Sequence, residues 1–293
     1  MDSVPDNFLG LPPPFDDYDA ARFAILPVPY DATTSYQPGT RHGPRAIITA
    51  SQQVEWYDTD LKRESHRAGI ATLPPLEPDA RGPEQMQKRI HTAAKRVVRD
   101  GKFLLTLGGE HGISTGLVRA VRSKHRKLSV LQVDAHADLR DEYHGSPYSH
   151  AAVMRRLHED GIPTVGVGLR SFSKPEAQLI RKAGLLRFSA RDCHEQPDWI
   201  ERTVAGLSDD VYITLDIDGF DPAYAPGTGT PEPGGLDWFQ VTNLLAEVAR
   251  QKRIVAADIV EVSPGAGSHV TEFLAARLAY RLIGLVHQQD HKK

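Results

Sequence analysis

Apolar and polar positions follow two periods along most of the chain. Short runs of β-branched and other apolar residues, bounded by polar ones, are typical of buried strands. They predict strands at residues 23–28, 69–73, 103–107, 128–133, 164–169, 185–188, 211–217 and 254–262. Apolar residues spaced three and four apart predict amphipathic helices at residues 83–99, 115–124, 150–160, 175–182, 199–206 and 237–250. Residues 270–286 are apolar but interrupted by charges, which indicates a buried helix rather than a membrane span.

This alternation of strands and helices predicts an α/β fold, with a mostly parallel sheet covered by helices on both faces. About eight such strands can close into a barrel or remain an open doubly wound sheet, and their spacing does not choose between the two. We find no internal repeat and no linker, so we expect an N-terminal arm over residues 1–20 and a single domain over residues 21–293. In both architectures the functional site is expected at the carboxyl ends of the strands.

Composition and charge narrow the class of protein. The formal net charge is -3 over 293 residues, which favours neither a nucleic-acid nor a membrane partner. The single cysteine, Cys193, is typical of a reducing compartment. The acidic, proline-rich first twenty residues lack the pattern of a secretory signal. We therefore expect a cytoplasmic protein.

Candidate chemistry begins at the end of one predicted strand, in the stretch "VDAHADL". Asp134, His136 and Asp138 alternate there, and residues two apart on a strand project to the same side wherever extended geometry persists. Short polar side chains also end strands and cap turns, which is a purely structural interpretation of the same residues.

Three other predicted strands end in similar residues. His111 follows a strand in "GGEHG", Asp216 and Asp218 lie in "LDIDGFDP", and Glu261 begins "EVSP". Each of these stretches alone is weak evidence for a functional site, because a histidine or an Asp-x-Asp pair at the end of a strand often only stabilises a turn. Together they would converge on one edge of the sheet, which turn structure alone does not require.

Crowded carboxylates repel one another or are forced to protonate unless cations relieve them. Two histidines and four aspartates are too many ligands for one ion that keeps an open position, but they suit two ions bridged by carboxylates. The oxygen-rich set without thiolates favours Mn²⁺, ahead of Zn²⁺, Ni²⁺ or Co²⁺. A bridging water of lowered pKa makes hydrolysis the expected reaction class. Composition and spacing do not identify the bond that is cut.

These residues, in this order, resemble the ureohydrolase (arginase/agmatinase) family, and agmatinase-like bacterial members most. The stretches that carry the resemblance are "PYDATTSYQPGTRHGPRAI", "LGGEHGIS", "DAHADLR", "SHAAVMRRL", "TLDIDGFDPAYAPGTGTPEPGGL" and "EVSP". The resemblance implies a three-layer open sheet of about eight parallel strands with the metal pair at its carboxyl edge. It also implies two Mn²⁺ ions per chain and a homo-oligomer, a trimer or hexamer.

The resemblance further implies a role for each residue. The ligands of the first ion would be His111, Asp134, Asp138 and Asp216, and those of the second would be His136, Asp134, Asp216 and Asp218. Asp138 would also orient the attacking hydroxide, Glu261 would bind the guanidinium, and His150 would shuttle a proton. His144, in "HGSP", is a competing candidate for the shuttle, but "SPYSHAAVMRR" favours His150. Gly112 stands where relatives usually carry Ser.

The implied reaction is hydrolysis of a guanidino group to urea and a primary amine, with agmatine and putrescine as the expected pair. The alternatives are a guanidinobutyrase or another guanidino-acid or guanidine hydrolase, then arginase, and, as a different class, a catalytically silent metal-binding member. Asp141 or Glu142 at the pocket mouth would favour an amine tail, whereas Arg140 or Arg170 facing the pocket would favour a carboxylate tail.

Overall fold

The centre of the molecule is one open, parallel β-sheet. A computed structural model describes residues 4–265 and 268–290, without the side chain of residue 290. In these residues the strands are β1 Phe23–Val28, β2 Tyr57–Asp58, β3 Arg63–Glu64, β4 Ile70–Thr72, β5 Phe103–Gly108, β6 Leu128–Val133, β7 Thr164–Leu169, β8 Arg187–Ser189, β9 Asp210–Asp216 and β10 Arg253–Val260. Eight of them form the sheet in the order β4-β1-β5-β10-β9-β6-β7-β8, and β2 and β3 form a separate antiparallel pair.

Helices connect most of the strands. Their bounds in the described residues are α1 Gly43–Ser51, α2 Pro83–Arg99, α3 Ser114–Arg122, α4 Val153–Glu159, α5 Lys174–Ala183, α6 Ala190–Glu195, α7 Trp199–Ala205, α8 Trp238–Gln251 and α9 Val270–Asp290. No described helix combines the length and the apolar character needed to cross a membrane.

Alternation along the strands produces two hydrophobic layers. On β1, Ile25 belongs to a cluster with residues of α1, α8 and α9, whereas Ala24 and Leu26 belong to a second cluster with residues of α2, α3 and α4. A strand buried on both faces has no polar side, which is why these segments are continuously apolar. The three-layer open sheet is confirmed, and the barrel is excluded because β4 and β8 lie at opposite edges.

The sequence pattern missed the short elements. Helices α1 and α6 and the β2–β3 pair were not predicted. Helix α6 and the two-residue strands are too short for a clear period. The helix predicted over residues 150–160 is a 3-10 turn at His150–Ala152 followed by α4. The strand predicted over residues 254–262 stops at Val260.

The first twenty residues pack against the domain over the part that is described. Phe8, Leu9 and Leu11 are buried in the core, and the Leu9 amide donates to the Ser51 hydroxyl at 2.8 Å. The boundary at residue 20 remains a prediction.

Candidate metal centre

Four adjacent strands in the middle of the sheet deliver the candidate ligands to one edge. Strands β5, β10, β9 and β6 are neighbours in the sheet, although they are far apart in the chain. His111 follows β5, Glu261 follows β10, Asp216 ends β9, and Asp134 follows β6. Because the strands are parallel, their carboxyl ends meet, and the side chains from "GGEHG", "VDAHADL", "LDIDGFDP" and "EVSP" come together as predicted.

The buried His111 ring has its two nitrogens in different surroundings. Its Nε2 lies 2.9 Å from the Thr214 hydroxyl, and that hydroxyl donates its hydrogen to Asp258 at 2.6 Å. Thr214 can therefore only accept from His111, so Nε2 carries the hydrogen. His111 Nδ1 has no hydrogen-bond partner, yet three carboxylate oxygens, from Asp134, Asp138 and Asp216, lie 3.1, 3.0 and 3.3 Å away.

A bare lone pair facing three carboxylates is unfavourable unless a cation lies between them. A metal ion bound by Nδ1 and these oxygens satisfies every group, while the Nε2–Thr214–Asp258 chain orients the ring, as is usual for metal-binding histidines. The residues present therefore fit a divalent metal.

A second set of ligand atoms lies beside the first and shares Asp134. Its His136 Nδ1 is 2.9 Å from Asp218 Oδ2 and 3.7 Å from Asp134 Oδ1. The side-chain amide of Gln132 donates to Asp134 Oδ2 at 2.8 Å, and the backbone amide of Ala135 donates to Asp218 Oδ1 at 3.0 Å. In the described residues, two groups can each hold an ion: His111, Asp134 and Asp216, and Asp134, His136 and Asp218. A carboxylate common to both groups can bridge two ions.

The pKa shifts of the clustered side chains also indicate that the cluster favours bound positive charge. Burial and the negative charge of Asp134 raise the pKa of Asp138 to about 7. Burial and the charges of Asp218 and Asp134 raise the pKa of Asp216 well above its usual value. Burial alone would lower the pKa of His111, but its carboxylate neighbours raise it well above its usual value. Protons are drawn into the cluster where cations would otherwise bind.

Two site residues adopt left-handed backbone conformations, Asp138 with φ 50° and Glu261 with φ 62°. Extended geometry thus does not persist to Asp138, and the turn at this residue, not strand alternation, brings its carboxylate to His111. Glu261 Oε1 accepts from the His111 backbone amide at 2.6 Å, which places its carboxylate beside the cluster. Such strained positions are common at functional sites.

His150 stands at the start of the 3-10 turn before α4, in the wall of a cavity of about 360 Å³ above the cluster. Burial lowers the pKa of its imidazole to about 4. His144 is not among the described residues that line this cavity, and its ring stacks on Tyr143 with centroids 4.2 Å apart.

The four charged residues considered for the substrate's tail differ in position. Arg140 lines the cavity and its guanidinium lies over the Tyr143 ring at 4.8 Å. Asp141 and Glu142 are exposed outside the lining, and Asp141 pairs with Arg156 at 2.9 Å.

Arg170 is not among the described residues that line the cavity. Its guanidinium forms hydrogen bonds with backbone carbonyls instead. It donates to backbone carbonyls of the loop after β9, at 2.7 Å to Asp218 and 2.8 Å to Glu232. This loop places the Glu232 carboxylate 3.9 Å from His136 Nε2, with the Glu232 side chain 38% exposed.

Several residues around the site were not predicted from the sequence. They are Thr33, Ser35, Glu110, Thr214, Glu232 and Asp258. Two carried a usable signal: Glu110 lies inside "GGEHG", and Asp258 is a charged residue in the middle of an apolar strand. A buried carboxylate in such a run generally has a polar partner.

Comparison with known proteins agrees with this geometry. The model of the arginase family matches residues 21–284. A Synechocystis protein named N(1)-aminopropylagmatine ureohydrolase is 40% identical, over 99% of both chains. An agmatinase from Pyrococcus horikoshii is 34% identical, over 93% of this chain and 94% of its own. The crystal structure of agmatine ureohydrolase from Thermoplasma volcanium superimposes with a TM-score of 0.85 at 33% identity, over 94% of this chain and 92% of its own. The chain belongs to the arginase family and is a hydrolase of guanidino compounds.

Proposed function

We propose that this hydrolase uses two Mn²⁺ ions to convert an amine-tailed guanidine into urea and an amine. The observation that carries the proposal is the buried His111 Nδ1 facing three carboxylates, beside a second ligand group that shares Asp134. The two ions would be held by the ligands His111, Asp134, Asp138 and Asp216, and His136, Asp134, Asp216 and Asp218. Mn²⁺ suits this oxygen-rich set. When bound, the ions would supply a water of lowered pKa as the nucleophile.

The chain's own groups would bind the substrate and move its proton. Guanidinium stays cationic at physiological pH, so its central carbon is a weak electrophile until a carboxylate binds its N–H groups. We propose Glu261 for this role, because it lines the cavity and only its Oε1 accepts from the His111 amide, which leaves Oε2 to accept from the substrate. Asp138 would orient the nucleophile, and His150 would carry the proton to the departing amine. Addition of water to the guanidinium carbon and loss of the carbon–nitrogen bond then give urea and an alkylammonium.

Two amine-tailed substrates are candidates, agmatine and N(1)-aminopropylagmatine. Agmatine is the expectation from sequence, with putrescine as the amine product. The Synechocystis relative named for the aminopropyl compound is more similar to this chain than the Pyrococcus agmatinase is, at 40% against 34% identity. We therefore propose N(1)-aminopropylagmatine as the preferred substrate and agmatine as the second. Glu232 is not itself in the cavity lining, but its partly exposed carboxylate lies 3.9 Å from Nε2 of the lining residue His136, where it can attract a cationic tail.

Arg140 supports a different tail. Its guanidinium lies in the cavity wall, where it would favour a carboxylate such as that of 4-guanidinobutyrate. The Arg140 guanidinium also forms a cation–π contact with the Tyr143 ring, which favours a partly structural role for Arg140.

A urea-release assay discriminates between these substrates. Protein reconstituted with Mn²⁺ is given N(1)-aminopropylagmatine, agmatine, arginine, 4-guanidinobutyrate and guanidine in turn. We expect kcat/KM to be highest for the aminopropyl compound, then agmatine, and at least about tenfold lower for 4-guanidinobutyrate, since a misplaced charge costs more than ~1.4 kcal/mol. A higher kcat/KM with 4-guanidinobutyrate than with the amine-tailed compounds would overturn the amine-tail assignment. If no compound releases urea, the protein is a catalytically silent member of the family.

Metal stoichiometry tests the binuclear centre separately. Elemental analysis of the Mn²⁺-reconstituted protein is expected to give about two ions per chain, because two ligand groups share Asp134. Asp218→Ala removes a ligand from one group alone and should lower the content toward about one. One ion or none in the unaltered protein contradicts the binuclear proposal.

A further inference from the structure

A chain of hydrogen bonds runs from a buried carboxylate to His150 through one threonine. Glu110 is fully buried, and both of its oxygens accept from Thr33, Oε2 from the backbone amide at 2.6 Å and Oε1 from the hydroxyl at 2.8 Å. The same Thr33 hydroxyl oxygen lies 3.0 Å from the His150 backbone amide and 3.4 Å from His150 Nδ1. The other ring nitrogen, Nε2, lies 3.2 Å from the Ser35 hydroxyl.

Counting hydrogens along this chain gives each bond a direction. A hydroxyl has one hydrogen, and a carboxylate can only accept. Burial raises the pKa of Glu110 to about 7, and the ionised form is the one in which both oxygens accept from Thr33. With Glu110 ionised, Thr33 donates to Glu110 and can only accept from His150. Nδ1 of the ring must then carry the hydrogen in the bond to Thr33. The ring is neutral at pH 7, since burial lowers the pKa of His150 to about 4, so it has a single N–H.

We propose that Thr33 and Glu110 are positioning residues that hold His150 as its Nδ1–H tautomer, with the Nε2 lone pair facing the hydroxyl of Ser35, which also lines the cavity. Nε2 then takes a proton from the nucleophile and returns it to the departing amine, while Nδ1 keeps its own hydrogen throughout. This inference rests on the proposed role of His150 in proton transfer. A tautomer fixed by the bond at the other ring nitrogen is a general device for catalytic histidines.

The glycine at position 112 leaves room for this chain. A Cβ added there would lie 2.8 Å from Glu110 Oε1, 3.3 Å from the Tyr148 carbonyl oxygen and 3.4 Å from the His150 amide nitrogen. A side chain at this position would push on the Glu110 carboxylate and on the turn that carries His150. Gly112 is thus matched to the Glu110–Thr33–His150 chain, which accounts for the departure noted in the sequence.

The test is a double-substitution cycle on the Mn²⁺-loaded enzyme, with urea release from the best substrate as the readout. Thr33→Val keeps the shape of the side chain but removes its hydroxyl, and Thr33→Ser restores the hydroxyl. We expect Thr33→Val to lower kcat at least about tenfold with KM changed less than about threefold, and Thr33→Ser to stay within about threefold of the unaltered enzyme. Thr242→Val, which removes a buried hydroxyl bonded to the backbone of its own helix, is the matched control.

The cycle separates a role through His150 from a general structural role. In the His150→Asn background, Thr33→Val should lower kcat by less than about threefold, because Thr33 acts through a group that is already absent. An equal loss in both backgrounds, or full activity of Thr33→Val, would overturn the inference. Glu110→Gln can donate from its amide and reverse the direction of the chain, so it should also lower kcat at least about tenfold at unchanged metal content. Full activity of Glu110→Gln would count against the inference in the same way.

Failure of the proposed function gives a different result from failure of the inference. If the unaltered enzyme releases no urea, or if His150→Asn retains full kcat, the role of His150 itself is wrong and the inference falls with it. If His150→Asn is impaired but Thr33→Val is not, only the positioning role is overturned.

Discussion

At the scale of single residues, the sequence indicated which side chains meet at the edge of the sheet, but it did not indicate the hydrogen bonds around them. The candidate ligands stand in short stretches directly after apolar runs, so their common edge follows from the strands alone. The partners that orient the two histidines His111 and His150 come from distant parts of the chain: His111 and Thr214 are 103 residues apart, and Thr33 and His150 are 117 residues apart. Nothing in the local pattern around Thr33 marks it as a partner of a histidine in another loop.

The choice between two histidines is a prediction at the same scale. His150→Asn is expected to lower kcat at least about tenfold, the lower range for loss of a general acid or base. His144→Asn should stay within about threefold, because its ring stacks on Tyr143 outside the cavity lining. The measurement is kcat for urea release at pH 7 with saturating substrate. The reverse order of the two variants would assign the shuttle to His144.

At the scale of elements, the strands were predicted well and the turns that leave them were not. Hydrophobic runs placed β6 and β9 within one residue of their observed ends. The left-handed backbone at Asp138 and Glu261 could not be predicted, because a positive φ in a non-glycine residue is imposed by tertiary contacts rather than by propensity. Short helices such as α6 were not predicted because six residues are too few to show a helical period.

At the scale of the whole molecule, alternation of strands and helices predicts the fold class, but it does not predict the strand order. Sheet order depends on which connections cross over, and neighbours such as β5 and β10 are separated by about half of the chain. The resemblance to the ureohydrolase family supplied what periodicity could not, an open sheet instead of a barrel, and the structure confirms it.

An exposed apolar face supports the proposal that the chain forms a homo-oligomer. Val270 and Phe273 at the start of α9 are 52% and 44% exposed, and Trp238 and Leu274 lie beside them in one shallow hollow. Tyr57, which is 50% exposed, lines the adjoining hollow with Phe273. Contiguous apolar surface of this kind commonly marks a protein interface.

A charge placed in this face should prevent self-association. Phe273→Glu is expected to lower the molar mass measured by light scattering from a multiple of 32.3 kDa to that of a smaller species. Tyr224→Glu, at an exposed aromatic residue that lines neither hollow, is the control and should leave the mass unchanged. An unaltered mass for Phe273→Glu would place the interface elsewhere, and a 32.3 kDa particle for the unaltered protein would contradict the oligomer.

The loop after β9 is anchored in a way that bears on how this enzyme can change over evolution. The Arg170 guanidinium donates to six backbone carbonyls, those of Gly168, Asp218, Gly219, Phe220, Glu232 and Pro233. Every residue type offers a carbonyl, so the anchor is indifferent to most side chains that the loop carries. Substitutions at Thr230, which lines the cavity, or at Glu232, which lies beside the lining residue His136, can therefore alter the surroundings of the substrate while the loop keeps its course. A descendant of this enzyme could acquire a new substrate tail there without rebuilding the metal centre.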